Sequence, residues 1–210
     1  MSERKLMPQL YIEYEIRDRG GKLISKSREK AHSWLKQFIQ FILANFVCRY
    51  GTTEEAFMIT IKTVDGADTN APIPYTVNAH YEVMCSWASA GDDEYGIVVG
   101  SNGDANTHDQ YALNSKISHG TGSGQLSYSE MILEELAEPI TGQYQFRMIR
   151  SFTNNSGASI DVREHGLYIK SHLGGVDGVY CVIREVPSTP QTIPDGATLT
   201  VRYIFSITVS

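Results

Sequence analysis

Apolar and polar positions alternate along most of the chain, and the alternation predicts strands. It is clearest near the C-terminus, where Leu199, Val201, Tyr203, Phe205, Ile207 and Val209 alternate with Thr198, Thr200, Arg202, Ile204, Ser206 and Thr208. Leu10, Ile12, Tyr14 and Ile16 alternate with Tyr11, Glu13, Glu15 and Arg17 up to Asp18-Arg19-Gly20-Gly21, and a short return strand is expected around Leu23. The organising stretch runs from Gln143 to Ile169. Tyr144, Phe146 and Met148 share one parity, Ala158, Ile160 and Val162 share another, and Asn154-Asn155-Ser156-Gly157 lies between them. Asn and Gly tolerate the left-handed backbone of tight turns, so this pattern predicts a hairpin. Gly166, inside the strand pattern from Val162 to Tyr168, predicts a bulge or a close backbone approach.

The period changes once. Trp34, Leu35, Phe38, Ile39, Ile42, Leu43 and Phe46 fall on one helical face and Lys36, Gln37, Gln40 and Ala44 lie opposite, predicting an amphipathic helix capped by Ser27 or Ser33 and stopped near Arg49 and Gly51. Further strands are expected over Met58 to Val64, Val77 to Trp87, Tyr95 to Gly100 and Val179 to Val186. Asp68 to Pro74 is expected as a loop and Ser129 to Leu136 as a short helix ended by Pro139. Ser101 to Gln125, rich in Gly, Ser, Asn and Asp, reads as one long loop, and loops of that length are usually functional or ordered by a partner. Pro187, Pro190 and Pro194-Asp195-Gly196 form a stiff connection into the last strand. The sum is a mainly β chain: an antiparallel β-sandwich of jelly-roll or immunoglobulin-like type, with an extended N-terminal arm and one N-terminal helix. The arm and helix occupy residues 1–51 and the sandwich 52–210, or the two form one continuous domain.

Length and charge narrow the function. The 210 residues suffice for a substantial core, and a net charge of -6 argues against affinity built on phosphate neutralisation, so nucleic acid is not an expected partner. The apolar run from Trp34 to Val47 is broken by Lys36, Gln37, Gln40 and Asn45, so no membrane span is expected, and no signal peptide is evident before Pro8. Synthesis in a cytoplasm follows. Cys48, Cys85 and Cys181 are too dispersed for a disulfide framework or a zinc site and are expected as free thiols. Asn154-Asn155-Ser156 matches a glycosylation acceptor but is better explained as turn chemistry.

Candidate chemistry is sparse. The six histidines show no i, i+4 pair, and Gly120-Thr121-Gly122-Ser123-Gly124 lacks the Lys and the strand-turn-helix context of a phosphate loop. Asn102, Asp104, Asn106 and His108 make an oxygen-rich alternation suggestive of a calcium site, but the glycine stands at the wrong offset for an EF-hand and the bidentate glutamate of the twelfth position is absent. Glu130, Glu134, Glu135 and Glu138 are simpler as a solvated face than as a glycosidase pair. No enzyme, metal or cofactor is expected.

Three stretches carry a resemblance. Tyr95-Gly96-Ile97-Val98-Val99-Gly100-Ser101 through Asp109-Gln110-Tyr111-Ala112-Leu113 to Gly124-Gln125-Leu126-Ser127-Tyr128, then Phe152-Thr153-Asn154-Asn155-Ser156-Gly157-Ala158 through Glu164-His165-Gly166-Leu167-Tyr168, and Ile193 to Val201 resemble structural β-sandwich proteins of tailed-bacteriophage virions. His165 departs from the pattern, standing where such proteins often have an apolar residue. The resemblance implies a virion protein made in the host cytoplasm, homo-oligomeric, with other virion proteins as partners. As a capsid decoration or cement protein it would bridge shell subunits, the Leu6 to Ser25 arm adding to a neighbour's sheet through Leu10, Ile12 and Tyr14, and Trp34 and Phe38 packing in an oligomer or closing the chain's own core. As a tail, baseplate or fibre-attachment protein it would use the long loop, with Tyr111, His119 and Tyr128 as contacts. A carbohydrate-binding module, with Trp87, Tyr95 and Tyr111 as its aromatic candidates, is the non-viral alternative.

Overall fold

The C-terminal alternation forms β13 (Thr198–Thr208), at the heart of the main sheet in a computed structural model that describes residues 9–31, 35–38, 59–71, 85–107, 109–173 and 176–208. β1 (Gln9–Arg17) pairs antiparallel along one side of it and β8 (Gln143–Thr153) along the other. The register sets Leu199 between Ile16 and Phe152, Val201 between Tyr14 and Arg150, and Tyr203 between Ile12 and Met148. One parity from each strand therefore meets on one face, and a slip of a single residue would turn that whole set outward. β2 (Leu23–Lys30) borders β1, while β6 (Ser127–Tyr128) and then β7 (Ile132–Ile140) border β8, completing a sheet of six strands.

β5 (Gly96–Gly100), β10 (Glu164–Leu173) and β11 (Val176–Glu185) form a second antiparallel sheet in the order β11-β10-β5. Two small ribbons complete the described strands: β3 (Ile59–Lys62) with β4 (Asp68–Ala71), and β9 (Ile160–Val162) with β12 (Gln191–Ile193). Leu10, Ile12, Ile16, Phe152, Leu199 and Val201 of the main sheet share one buried cluster with Ile97, Val99, Leu167 and Ile183 of the second. The protein is mainly β, built of antiparallel sheets, and consistent with a β-sandwich.

Several expectations change. The turn Asn154 to Gly157 forms, with Gly157 at φ 85°, yet Gln143 to Ile169 is not a hairpin. β8 stays with β13, whereas β9 leaves to pair with β12, because buried Asn154 ties the turn across to the last connection: its Nδ2 donates to the carbonyls of Ala158 and Ile193, both at 2.8 Å. The hairpin that does form is β7–β8, through Thr141 and Gly142 at φ 80°. Residues expected as a helix up to Leu136 belong instead largely to β7, since tertiary pairing with β8 overrides local propensity. The expected loop after Asp68 begins with β4. Gly166 is confirmed as a close approach: a Cβ there would lie 2.7 Å from Leu113 Cδ1 and 2.8 Å from the Ile183 carbonyl oxygen, and a register shift follows at Leu167/Tyr168.

From Gln9 onward the expected arm is part of the main sheet, and Leu6 to Pro8 lie outside the described residues. β1 has β13 on one side and β2 on the other, so its backbone groups are engaged within the chain. Its turn is built by Asp18, whose Oδ1 accepts from the amides of Gly20 and Lys22, each at 2.9 Å, with Gly21 at φ 81°. Most of the expected helix from Trp34 to Phe46 lies outside the described residues, as does most of the strand expected over Val77 to Trp87. Within 35–38, Leu35 and Gln37 are buried. Gln37, expected on the polar face, donates from Nε2 to the Cys181 carbonyl at 3.1 Å and accepts the Lys62 amide at 2.7 Å, fastening this segment to β11 and β3.

Candidate functional site

Two arginines decide how the irregular chain is held, and so which surfaces stay open. Arg184 on β11 and Glu164 on β10 are fully buried and pair at 2.8 Å. A charged pair out of water requires its remaining donors and acceptors to be filled, and here the long loop fills them. Glu164 accepts the backbone amides of Asn114 and Ser115 at 3.0 and 2.7 Å. Arg184 donates to the Asp104 carbonyl at 3.1 Å and to Asn106 Oδ1, while Asn106 Nδ2 returns a bond to the Arg184 carbonyl at 2.8 Å. The Leu113 amide donates to Tyr168 Oη at 2.7 Å. The loop is therefore a third layer on the second sheet, with Leu113 and Ile117 buried beneath it. Gly100 permits the approach, since a Cβ there would lie 2.6 Å from both Glu164 Oε1 and the Ser115 carbonyl oxygen.

Arg150 on β8 is also fully buried, but its partners are carbonyls: Ser129 and Tyr95 at 2.9 Å, Ile97 at 3.1 Å, Ser89 at 3.2 Å, and Asp92. Its guanidinium lies 4.8 Å from the ring centroid of Tyr128. Burial pulls its pKa below the ordinary value, opposed by Tyr128, Asp92 and Asp93. Tyr128 is buried, donates to the Ile117 carbonyl at 2.6 Å and meets Phe152 edge-on.

His165 explains its departure from an apolar position. It is completely buried between Tyr14 and Tyr203, with Nε2 2.6 Å from Tyr14 Oη and Nδ1 2.5 Å from Tyr203 Oη. Tyr14 donates onward to Glu29 at 2.8 Å, so the network assigns the neutral ring with its proton on Nε2: Tyr203 donates to Nδ1, and Nε2–H donates to Tyr14. Desolvation, reinforced by Arg184, lowers the His165 pKa to about 3. The line joins main sheet to second sheet with no acceptor left over, which suits cohesion more than proton transfer.

Where the expected contact residues fall is now plain. Leu10, Ile12 and Tyr14 are interior, at 2%, 0% and 1% exposure, and cannot meet a neighbour. Phe38 packs against the core and Trp34 lies outside the described residues. Of the three loop candidates, Tyr128 is interior, and His119 is exposed but accepts the Tyr128 amide on Nδ1 at 3.1 Å; Tyr111 remains available at 38% exposure. Asn102 and Asp104 bond each other, Arg184 bonds the Asp104 carbonyl and Asn106, and His108 lies outside the described residues. Among the described residues no group of three or more His, Cys, Asp or Glu is placed to hold a metal ion. Cys85 and Cys181 are free, and burial pushes the Cys181 thiol pKa up.

Three surfaces remain open. A cleft of about 460 Å³ lies between the β3–β4 turn and the second sheet, with Val64 and Leu113 on its floor and Asp65, Lys116, Lys170 and Asp177 around it. The other two are the margins of the main sheet. β2 is exposed at Leu23 and Ile24, and β7 at Ile132, Leu133 and Ile140, the last at 67%. The β2 margin is the return strand expected around Leu23; the β7 margin is unexpected, because the sequence reading assigns much of β7 to a helix, and the signal for it is Thr141-Gly142 between two apolar runs. No helix among the described residues is long and apolar enough to cross a membrane. Compared with protein-family models, curated proteins and solved structures, the chain matches none.

Proposed function

We propose that the chain is a non-enzymatic structural protein of a tailed-bacteriophage virion, a decoration or cement protein whose contacts bridge neighbouring shell subunits. The observation that carries this reading is the contrast between closed loops and open margins. The loops are stapled to the sheets by buried arginines, while large apolar side chains stand exposed on both edge strands of the main sheet. Exposed apolar groups on edge strands are a liability in a solitary protein and an asset in an assembled one. The resemblance of the Tyr95, Phe152 and Ile193 stretches to virion sandwiches supports the same reading. Bridging then runs through sheet margins, since the N-terminal strand is already engaged.

Quantitative mass spectrometry of purified particles tests it. About one copy per capsid subunit, or a simple fraction of that, is expected. A dozen or fewer copies would replace the shell with the tail, baseplate or fibre attachment as the station, and absence from the particle would end the reading. Exposed aromatics favour a second reading, a carbohydrate-binding module: Tyr111 lies against Gly66 at 38% exposure and Trp87 is 57% exposed. Glycan-array binding abolished by Tyr111→Ala would establish that alternative.

A further inference from the structure

We propose that copies of this chain join edge to edge, β2 of one copy pairing with β7 of the next. This deepens the structural reading above and rests on it only in requiring that the chain associate. Both strands are margins of one sheet: among the described residues β2 pairs only with β1, and β7 only with β8. An edge strand presents unpaired amides and carbonyls that a strand of another chain can satisfy.

Charge selects which edges meet. β2 carries Lys26, Arg28 and Lys30 against the single anion Glu29; Glu29 is engaged by Tyr14 and the Ser188 amide, half-exposed Lys26 also reaches Glu13 and Glu15 at 3.3 and 3.7 Å, and Arg28 lies over the Tyr11 ring. β7 carries Glu134 and Glu138 and no cation; Glu134 meets Arg147 of β8 at 3.1 Å on the exposed face, and Glu138 accepts the Gly142 amide at 2.7 Å. Pairing β2 with β2 would align cations, and pairing β7 with β7 would align anions. Only the unlike combination is attractive, so the charges that guard each edge against its own kind favour the other. The strands match in length, eight and nine residues. Leu23 and Ile24 on one and Ile132 and Leu133 on the other supply exposed apolar groups for the seam to cover. Register shifts after Glu134 and Ala137, together with Pro139, bend the turn end of β7 away from regular pairing and leave Ile132 to Glu134 as its straight stretch. Because the two surfaces differ, the contact is head-to-tail: it closes into a ring if the rotation between copies permits and otherwise extends as a filament.

Sedimentation velocity of the full chain over a concentration series, at roughly 50 mM and 500 mM NaCl, provides the test, because the screening length for exposed charges falls from about 14 Å to about 4 Å over that range. Assemblies that grow with concentration and shrink at high salt are expected. Lys26→Glu with Lys30→Glu, and separately Glu134→Lys with Glu138→Lys, should each give monomer, while an equimolar mixture of the two proteins should regain assembly. Glu13 and Glu15 keep Arg202 and Arg17 as partners in the first variant. Wild-type protein that stays monomeric at low salt up to its solubility limit would overturn the proposal, as would assembly undiminished in both variants. The wild-type salt series decides the matter alone if a variant fails to fold. Assembly of a chain absent from purified particles would uphold this contact and reject the virion reading; a particle-borne chain that is monomeric when isolated would do the reverse.

Discussion

Arg150 and Arg184 bury the same cation in two different ways. Arg184 sits on the far face of the second sheet, where the Glu164 carboxylate neutralises it and loop amides and carbonyls complete the shell. Arg150 sits on the core face of the main sheet and is met by five carbonyls and the face of Tyr128. The first is a charge pair that a loop closes; the second is a lone charge solvated by backbone. The difference shows how this protein spends its irregular chain. Segments 89–97, 102–107 and 109–117 are held by buried cations and their partners, while large apolar side chains stand exposed on the sheet margins.

The largest expected effect breaks the paired case. Arg184→Met leaves Glu164 charged and buried without its counterion, and a loss of about 3–5 kcal/mol is expected in urea denaturation. Replacing both partners, as Arg184→Met with Glu164→Leu, should recover part of that loss while leaving the loop amides of Asn114 and Ser115 unpaired. Arg150→Met should cost less, about 2–3 kcal/mol, because the exposed turn around Ser89 and Glu94 lets water reach the vacated carbonyls. If the order of the two arginines were reversed, the carboxylate would not be the feature that distinguishes them.

A pH series sharpens the same comparison, because the Arg184 charge also helps hold His165 neutral. The folded pKa of about 3 lies below the ordinary 6.5, so the unfolded chain takes up the proton first as pH falls. The stability that His165 contributes is complete above pH 6.5 and is lost progressively down to about 3, at a slope approaching about 1.4 kcal/mol per pH unit. His165→Phe should remove that slope from equilibrium unfolding measured between pH 6 and 4, along with the bonds to both tyrosines. The smallest effect belongs to an exposed pair, Arg147 with Glu134 at 3.1 Å. Arg147→Gln should shift stability by less than about 0.5 kcal/mol.

Much of the scaffold was visible in the alternation. β1 and β13 fall where the alternation placed them, because each has one face in the core; β5 is buried throughout between its glycines, and β2 follows from the turn at Asp18 to Gly21. β7 was hidden for a physical reason: Ile132, Leu133 and Ile140 are exposed alongside Glu134 and Glu138, so no period-two contrast between buried and exposed positions marks it. The crossover after β8 was hidden because the turn at Asn154 looks the same whether its flanking strands pair or part; the bond from Asn154 to Ile193 decides, and it spans 39 residues. Of the buried arginines, Arg150 was open to detection. It shares the parity of Tyr144, Phe146, Met148 and Phe152, but a charge on a core parity is easily taken for a break in the pattern; Arg184 follows Tyr180 and Val182 in number only, since the register shift at Leu167/Tyr168 turns it to the far face. The tyrosine line through His165 joins residues 151 and 38 positions apart and leaves no local trace.

Hydrogen exchange read by mass spectrometry, on the dilute isolated chain and again on the assembled form, is the most direct measure of closed loops and open margins. The amides of Leu113, Asn114, Ser115 and Ile117, donated to Tyr168, Glu164 and Val99, should be protected equally in both states, while β2 and β7 should gain protection only on assembly. A loop that exchanges freely when isolated and becomes protected on assembly, with β2 and β7 unchanged, would contradict the account.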